Sequence, residues 1–122
     1  MKQRLIRELV RLASMDYQEK NVIAGSSSSY ALPEELLENA EGTLKTILAN
    51  RTLSQCFSEF ELESARAFLE DLSSAGIPFG DDSIPNETLI LDNESWASAR
   101  QAAQTFLTRL GIDPSDYNNI RD

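Results

Sequence analysis

Four stretches of the chain repeat apolar residues at the spacing of an amphipathic helix, and this periodicity restricts the fold more than any other feature. The same 3.6-residue period recurs in residues 3–18, 33–50, 58–75 and 93–110. In the first stretch, the apolar side of the helix comprises Leu5, Ile6, Leu9, Val10, Leu12, Ala13 and Tyr17. Because such a stripe is buried against a neighbouring helix, the sequence predicts an all-α fold.

Residues that begin or end helices stand at the edges of these stretches. Pro33 occupies a first-turn position, where its missing N–H costs nothing, and Asn93 can cap the last long helix. Gly76 and Gly111 are placed to end the third and fourth helices. We expect a compact bundle of four main helices with one or two short helical turns, one of them at residues 52–57. An extended acidic loop is expected before the last long helix.

The length of 122 residues is typical of one domain, so residues 1–122 are expected to form a single helical domain. Residues 19–32 are predicted to be a flexible connector, because their serine run at residues 26–29 favours no regular structure. A phosphorylation segment is an alternative interpretation of this run. Residues 118–122 are predicted to be a frayed tail.

Acidic residues outnumber basic ones by 20 to 11, which gives a net charge of −9. The excess is concentrated between Glu34 and Glu94. Nucleic acids and anionic membranes bind basic surfaces, so this balance argues against direct contact with either. It favours a basic protein partner, although acidity alone also serves solubility.

The densest acidic segment is residues 80–94, GDDSIPNETLILDNE. Three interpretations compete for it: a metal loop, a docking surface and a connector between helices. A calcium loop counted from Asp81 needs an oxygen ligand at its fifth position and glycine at its sixth. Pro85 and Asn86 stand there instead, so the metal interpretation is disfavoured.

As a connector, this segment would be an extended loop pinned to the helices by Ile84, Leu89 and Leu91, with a short strand as an option at residues 88–91. As a docking surface, its acidic side chains would surround an apolar anchor, which is the layout of a polar-rimmed interface. The candidate partner-binding residues of this segment are Asp81, Asp82, Ile84, Glu87, Asp92 and Glu94.

The third long helix adds an acidic stripe to the candidate interface. Glu59, Glu63 and Glu70 share its outer side, and Arg66 lies among them at spacings that favour modest ion pairing. The first helix carries the opposite charge, with Arg4, Arg7 and Arg11 in one row. That row is interpreted either as a solvated face or as a local contact for phosphate or an acidic partner.

Catalytic chemistry has little support in the sequence. The chain has no histidine, the commonest general base near neutral pH, and no glycine-rich phosphate loop. The lone Cys56 stands beside Phe57, and we predict it to be a small core residue and not a nucleophile. We therefore expect no enzyme activity, no cofactor and no metal site.

The expected location is the cytoplasm. A single cysteine forms no intramolecular disulfide, and charges at Arg7, Glu8 and Arg11 interrupt any apolar run of a signal peptide or a membrane span.

Together, these features predict a non-catalytic protein-binding module. Its most concrete form is a small acidic inhibitor, such as a bacterial immunity protein or antitoxin that neutralises a basic, nuclease-like toxin. The alternative is a structural or regulatory subunit of a larger assembly, of which a homodimer is the simplest case.

Overall fold

The computed structural model describes residues 2–18, 33–77 and 86–112, and 86% of them are helical. The helices are α1 (Lys2–Ala13), α2 (Met15–Gln18), α3 (Pro33–Ala49), α4 (Arg51–Ser54), α5 (Glu59–Ala75), α6 (Asn86–Asp92) and α7 (Glu94–Arg109). No strand occurs in these three ranges, so the predicted all-α class is confirmed. The connector at residues 19–32 and the tail at residues 118–122 lie outside the described residues.

Helices α1 and α7 form the centre of the bundle. Helix α1 packs against α3 and α7, and α7 also packs against α5 and α6. The rings of Phe68 and Phe106 meet between α5 and α7, with centroids 5.3 Å apart. The largest fully buried side chains are Trp96, Phe68, Phe106, Leu5, Leu9, Leu12, Leu44, Ile47, Ile90, Leu107 and Gln18. All but Gln18 are apolar, and all of these apolar side chains except Ile90 belong to the four stretches with helical periodicity.

The prediction of one helix over residues 3–18 is wrong at Ser14, which separates α1 from α2. The Ser14 hydroxyl accepts a hydrogen bond from the backbone N–H of Tyr17 at 3.1 Å, as an N-cap residue does. A local side-chain bond of this kind offers the backbone an alternative to a continuous helix. The chain therefore restarts its helix at Met15.

Gln18 is completely buried and connects three helices. Its amide Nε2 donates to the carbonyls of Arg11 at 3.1 Å and Leu12 at 2.7 Å, in the last turn of α1. Its Oε1 accepts a hydrogen bond from the indole N–H of Trp96 at 3.1 Å. Carbonyls at a helix end have no partner within the helix, and a buried indole N–H needs an acceptor. One side chain meets both requirements.

A second amide completes the end of α1. Gln104 of α7 donates from Nε2 to the carbonyl of Ala13 at 3.0 Å. The last turn of α1 is thus bonded to α2 and α7 by side-chain amides, and the relative positions of these helices are fixed by hydrogen bonds as well as by packing.

Both ends of α5 have strong local signals. Ser58 and Glu61 form a capping box: the Ser58 hydroxyl accepts from the Glu61 N–H at 3.1 Å, and a Glu61 carboxylate oxygen accepts from the Ser58 N–H at 2.9 Å. The Ser58 N–H is the main cause of the lowered pKa of Glu61, and the Lys2 ammonium, 3.5 Å away, lowers that pKa further. At the other end, Gly76 adopts φ 63°, the left-handed conformation that glycine favours.

The predicted ends of the last helix are confirmed. The Asn93 side chain accepts from the backbone N–H of Trp96 at 3.0 Å. Gly111 has φ 84°, and the N–H of Ile112 folds back to the carbonyl of Leu107 at 2.9 Å. This is the glycine-terminated cap that the sequence predicts.

The second half of the segment at residues 80–94 is helical, so the expectation of an extended loop or strand at residues 88–91 is wrong. As part of α6, Leu89 and Ile90 are both buried, whereas Leu91 is 46% exposed and anchors nothing. A strand would send adjacent side chains to opposite faces, but a helix can bury two neighbours together. The half-buried Arg100 of α7 donates from Nη1 to the Ile90 carbonyl at 3.3 Å, and burial lowers the pKa of this guanidinium.

The prediction that Cys56 belongs to the core is also wrong, because its side chain is exposed. Cys56 lies in the turn after α4, where its N–H donates to the carbonyl of Leu53 at 3.3 Å. The next residue, Phe57, is the one that the turn buries, and the Lys2 ammonium lies 5.0 Å from its ring centroid.

Over the described residues, no helix is both long and apolar enough to cross a membrane.

We predict that Gln18→Leu lowers the free energy of unfolding by at least about 2 kcal/mol, because it removes three hydrogen bonds of a buried side chain, to Trp96 and to the carbonyls of Arg11 and Leu12. Urea denaturation measures the change. Gln101→Leu on α7 is the matched control, since this glutamine is exposed and we expect a change within about 0.5 kcal/mol. Equal effects of the two substitutions would contradict a structural role for Gln18.

We also predict that the stability difference between the parent protein and Glu61→Gln depends on pH. The folded-state pKa of Glu61 lies below its ordinary value of 4.5, so its charge stabilises the fold above that value. This contribution is lost as the pH falls through the folded-state pKa. Unfolding free energies measured from about pH 7 to about pH 3 should therefore converge at the acid end. A difference that stays constant over this range would show that the carboxylate charge is irrelevant to the cap.

Candidate protein-binding surface

The outer side of α5 carries an acidic stripe made of Glu59, Glu63 and Glu70, and all three side chains are exposed. Their spacings of four and seven residues place them along one line of the helix. Arg66 lies on the same side, but within the described ranges it forms no ion pair with any of them. The pairing expected from the sequence is absent, and the three carboxylates are available to cationic groups from outside.

Beside this stripe, α5 and α7 enclose an open groove of about 570 Å³. It is lined by Asp71, Ser74 and Ala75 of α5 and by Glu94, Ser95, Ser98, Gln101, Ala102 and Thr105 of α7. Among the described residues that line it, the charged ones are the carboxylates Asp71 and Glu94. The groove therefore offers hydroxyl and amide groups for hydrogen bonding and a negative charge from each wall.

The groove follows from the size of the residues that meet there. The aromatic contact of Phe68 with Phe106 fills the space between α5 and α7. Towards the end of α5, the facing residues are as small as Ala75 and Ser95, so the two helices leave a gap. The two aromatic rings keep the axes of α5 and α7 apart. Small side chains such as Ala75 and Ser95 are too short to fill the resulting space between the helices, which stays open as the groove.

Phe60 is the most exposed large apolar side chain in the described part of the chain, at 58%. It lies in the first turn of α5, next to Glu59 and one turn before Glu63. An exposed aromatic ring among carboxylates is the combination of anchor and polar rim found at protein interfaces. Around the axis of α5, Phe60 points about 80° away from the buried Phe68. This offset could have shown from the sequence that Phe60 lies outside the buried stripe.

The structure describes five of the predicted acidic partner-binding residues with their side chains, and it places them in three parts of the surface. Glu59, Glu63 and Glu70 lie together on α5, whereas Glu94 lies at the groove with Asp71, a residue that the sequence analysis missed. Asp92 is exposed at the end of α6. The remaining predictions are untested: Asp81, Asp82 and Ile84 lie outside the described residues, as does the side chain of Glu87.

Among the described residues, no group of three or more histidine, cysteine, aspartate or glutamate side chains could hold a metal ion. What the surface offers is negative charge, hydroxyl groups and one exposed ring. These are the groups that recognise a protein surface.

The sequence matches no protein-family model, and comparisons with curated proteins and with solved structures give no significant match.

We predict that Phe60→Ala changes the free energy of unfolding by no more than about 0.5 kcal/mol, because the ring is mostly in solvent. Phe68→Ala in the same helix is the matched comparison, and loss of its buried ring should cost about 3–5 kcal/mol. Thermal or urea unfolding of both variants measures the difference. A large loss for Phe60→Ala would mean that the ring supports the fold and is not a free anchor.

Proposed function

We propose that this protein is a non-catalytic binding module whose α5 surface docks a basic protein. Its most concrete form is a small acidic inhibitor, such as a bacterial immunity protein or antitoxin that neutralises a basic, nuclease-like toxin. The observation that carries this proposal is the acidic stripe of Glu59, Glu63 and Glu70, which is exposed and has no cationic partner among the described residues.

Exposed carboxylates on one helix repel each other slightly, so Glu63 and Glu70, which lie beyond the first turn of α5, can be replaced with little effect on the fold. When a cationic partner binds, each carboxylate is attracted to the partner's positive charges, and the repulsion among the carboxylates is compensated. Over the surface of a protein with a net charge of −9, the summed field also accelerates the encounter with a basic partner, by a factor of about 10–1000 in steered systems.

A nuclease binds its substrate through cationic groups that contact phosphates. A line of carboxylates can occupy those same groups and so block the substrate. Affinity in such interfaces usually comes from a few buried anchors, with aromatic residues prominent among them. Phe60, beside the stripe, supplies an anchor of this type.

The alternative is a structural or regulatory subunit, including a homodimer. The exposure of both Phe60 and Leu91 favours it, because apolar side chains on the surface of a subunit are often covered in an assembly. Such an interface would depend little on salt, whereas steered binding of a basic protein weakens as salt rises.

The test begins with affinity capture by the tagged protein and identification of the bound protein. Association rates are then measured for the parent and for Glu63→Lys/Glu70→Lys at about 0.05 M and about 0.5 M salt. We expect at least a tenfold slower association for this double variant at the lower salt, roughly the lower end of the steering effect, and a smaller difference at the higher salt.

Glu35→Lys/Glu38→Lys is the matched control, since it makes the same change in charge at exposed positions of α3. If the control slows association as much as the α5 variant does, the effect comes from net charge and not from the stripe. Stoichiometric inhibition of the captured protein's nuclease activity would support the inhibitor form. Concentration-dependent self-association in sedimentation velocity, with no basic partner captured, would favour the subunit alternative.

A further inference from the structure

The hydroxyl groups that line the groove between α5 and α7 form no hydrogen bonds with other described residues. Serine and threonine side chains in a helix commonly donate to the backbone carbonyl one turn earlier. Ser64 of α5 and Thr108 of α7 do so, at 2.9 and 3.0 Å. The side chains of Ser74, Ser98 and Thr105, which belong to the same two helices, form no such bond. Their hydroxyl groups are therefore available to a bound molecule.

The two carboxylates of the groove also have no partner in the described part of the chain. Asp71 stands on the α5 wall and Glu94 in the first turn of α7, and neither forms an ion pair with a described side chain. The described lining residues include no lysine or arginine. The two negative charges are therefore uncompensated within this lining, and the groove complements a ligand that carries positive charge.

The shape of the groove restricts the conformation of such a ligand. Its α7 wall runs from Glu94 to Thr105, a rise of about 16 Å at 1.5 Å per residue. A polypeptide of about five residues covers this length in an extended conformation. A helix satisfies its own backbone groups, whereas each residue of an extended segment presents an N–H and a C=O that need partners. The hydroxyl groups on both walls supply such partners, so the lining favours an extended segment.

We propose that the groove binds an extended segment of the basic partner and places a lysine or arginine side chain of that segment between Asp71 and Glu94. This proposal rests on the proposed function and identifies where, beside the acidic stripe, the partner inserts part of its chain. The cationic group donates charge-assisted hydrogen bonds to the two carboxylates. The hydroxyl groups bond with the backbone of the segment.

The apolar part of the lining indicates which residues flank the cationic one. Among the described lining residues, the apolar ones are the half-buried Ala75 and Ala102. Two methyl groups offer little area to a large apolar side chain, and the gain from burial scales with the apolar area covered. We therefore expect small or polar residues on both sides of the lysine or arginine.

Titration of the isotope-labelled protein with the acetylated and amidated peptide GKGKG tests the proposal, with nuclear magnetic resonance of the backbone amides as the measurement. Glycine leaves this peptide free to extend, and its lysines supply the positive charge. At about 0.05 M salt, where screening is weak, we expect saturable shifts at Ser74, Ser98 and Thr105. The peptide GEGEG, which has the opposite charge, should produce none.

Charge variants separate the groove from the net charge of the protein. Asp71→Asn/Glu94→Gln should weaken GKGKG binding roughly fivefold, since each exposed ion pair changes an equilibrium constant by about 1.5–5-fold. Glu35→Gln/Glu38→Gln is the matched control, because it makes the same change in charge at exposed positions of α3. Binding to this control should stay within about twofold of the parent.

A steric variant tests the same groove without a change in charge. Ser98→Phe places a ring in the space of the segment and should weaken GKGKG binding at least about tenfold. Thr46→Phe adds the same ring at an exposed position of α3 and should leave binding within about twofold of the parent.

The proposal is overturned if GKGKG produces no saturable shifts at the groove, if GEGEG binds as tightly, or if the α3 variants weaken binding as much as the groove variants do. Groove shifts that grow with protein concentration in the absence of peptide would assign the groove to a second copy and overturn it as well.

These outcomes are separate from those of the proposed function. The peptide titration needs no captured partner, so a failure to capture a basic protein leaves its result unchanged. If a captured partner associates more slowly with Glu63→Lys/Glu70→Lys but equally fast with Asp71→Asn/Glu94→Gln, the acidic stripe is supported and the groove proposal is overturned.

Discussion

The bond between Gln18 and Trp96 is the interaction on which the bundle depends. Both side chains are fully buried, and the indole N–H of Trp96 lies 3.1 Å from the Gln18 carbonyl oxygen. The other end of the same amide satisfies two carbonyls of α1. A buried polar group of this kind is tolerated only when its partners are in place, so it selects one arrangement of α1, α2 and α7 among the many that apolar packing alone would allow. The positions of the α1 arginines and of the α5 carboxylates follow from that arrangement.

Charge is separated between two parts of the surface. Helix α5 presents the exposed carboxylates of Glu59, Glu63 and Glu70, whereas Arg4, Arg7 and Arg11 lie in a row on α1, where Arg4 pairs with the buried Glu8. Opposite charges that are kept apart do not neutralise each other, so each region retains its own field over a distance of about one Debye length, roughly 8–10 Å at physiological salt. The acidic region is suited to a large cationic surface.

The sequence predicts the long helices well, because their apolar stripes are long and their ends carry strong signals at Asn93, Gly76 and Gly111. The sequence predicts less well the segments whose conformation and burial depend on contacts with other helices. Leu89 and Ile90 look like part of an extended segment until α7 is present to cover both of them in one helical turn. Cys56 stands next to the apolar Phe57 in the sequence, but the turn after α4 buries Phe57 and leaves the cysteine exposed. Within the candidate sites, the stripe on α5 follows from spacing alone. The groove depends on which helices become neighbours, and one sequence does not specify that.

Helix α2 and the last residue of α1 are bonded to residues that are far away along the chain. Gln18 and Trp96 are separated by 78 positions, and Ala13 and Gln104 by 91. Closing loops of this length is slow relative to forming a helix, so the last turn of α1 acquires its partners late in folding. During synthesis, the N-terminal helix leaves the ribosome long before α7 does and remains without its main packing partner until then. The bundle is therefore expected to form cooperatively only after α7 has been synthesised, and fragments that lack α7 would be targets for chaperones and proteases.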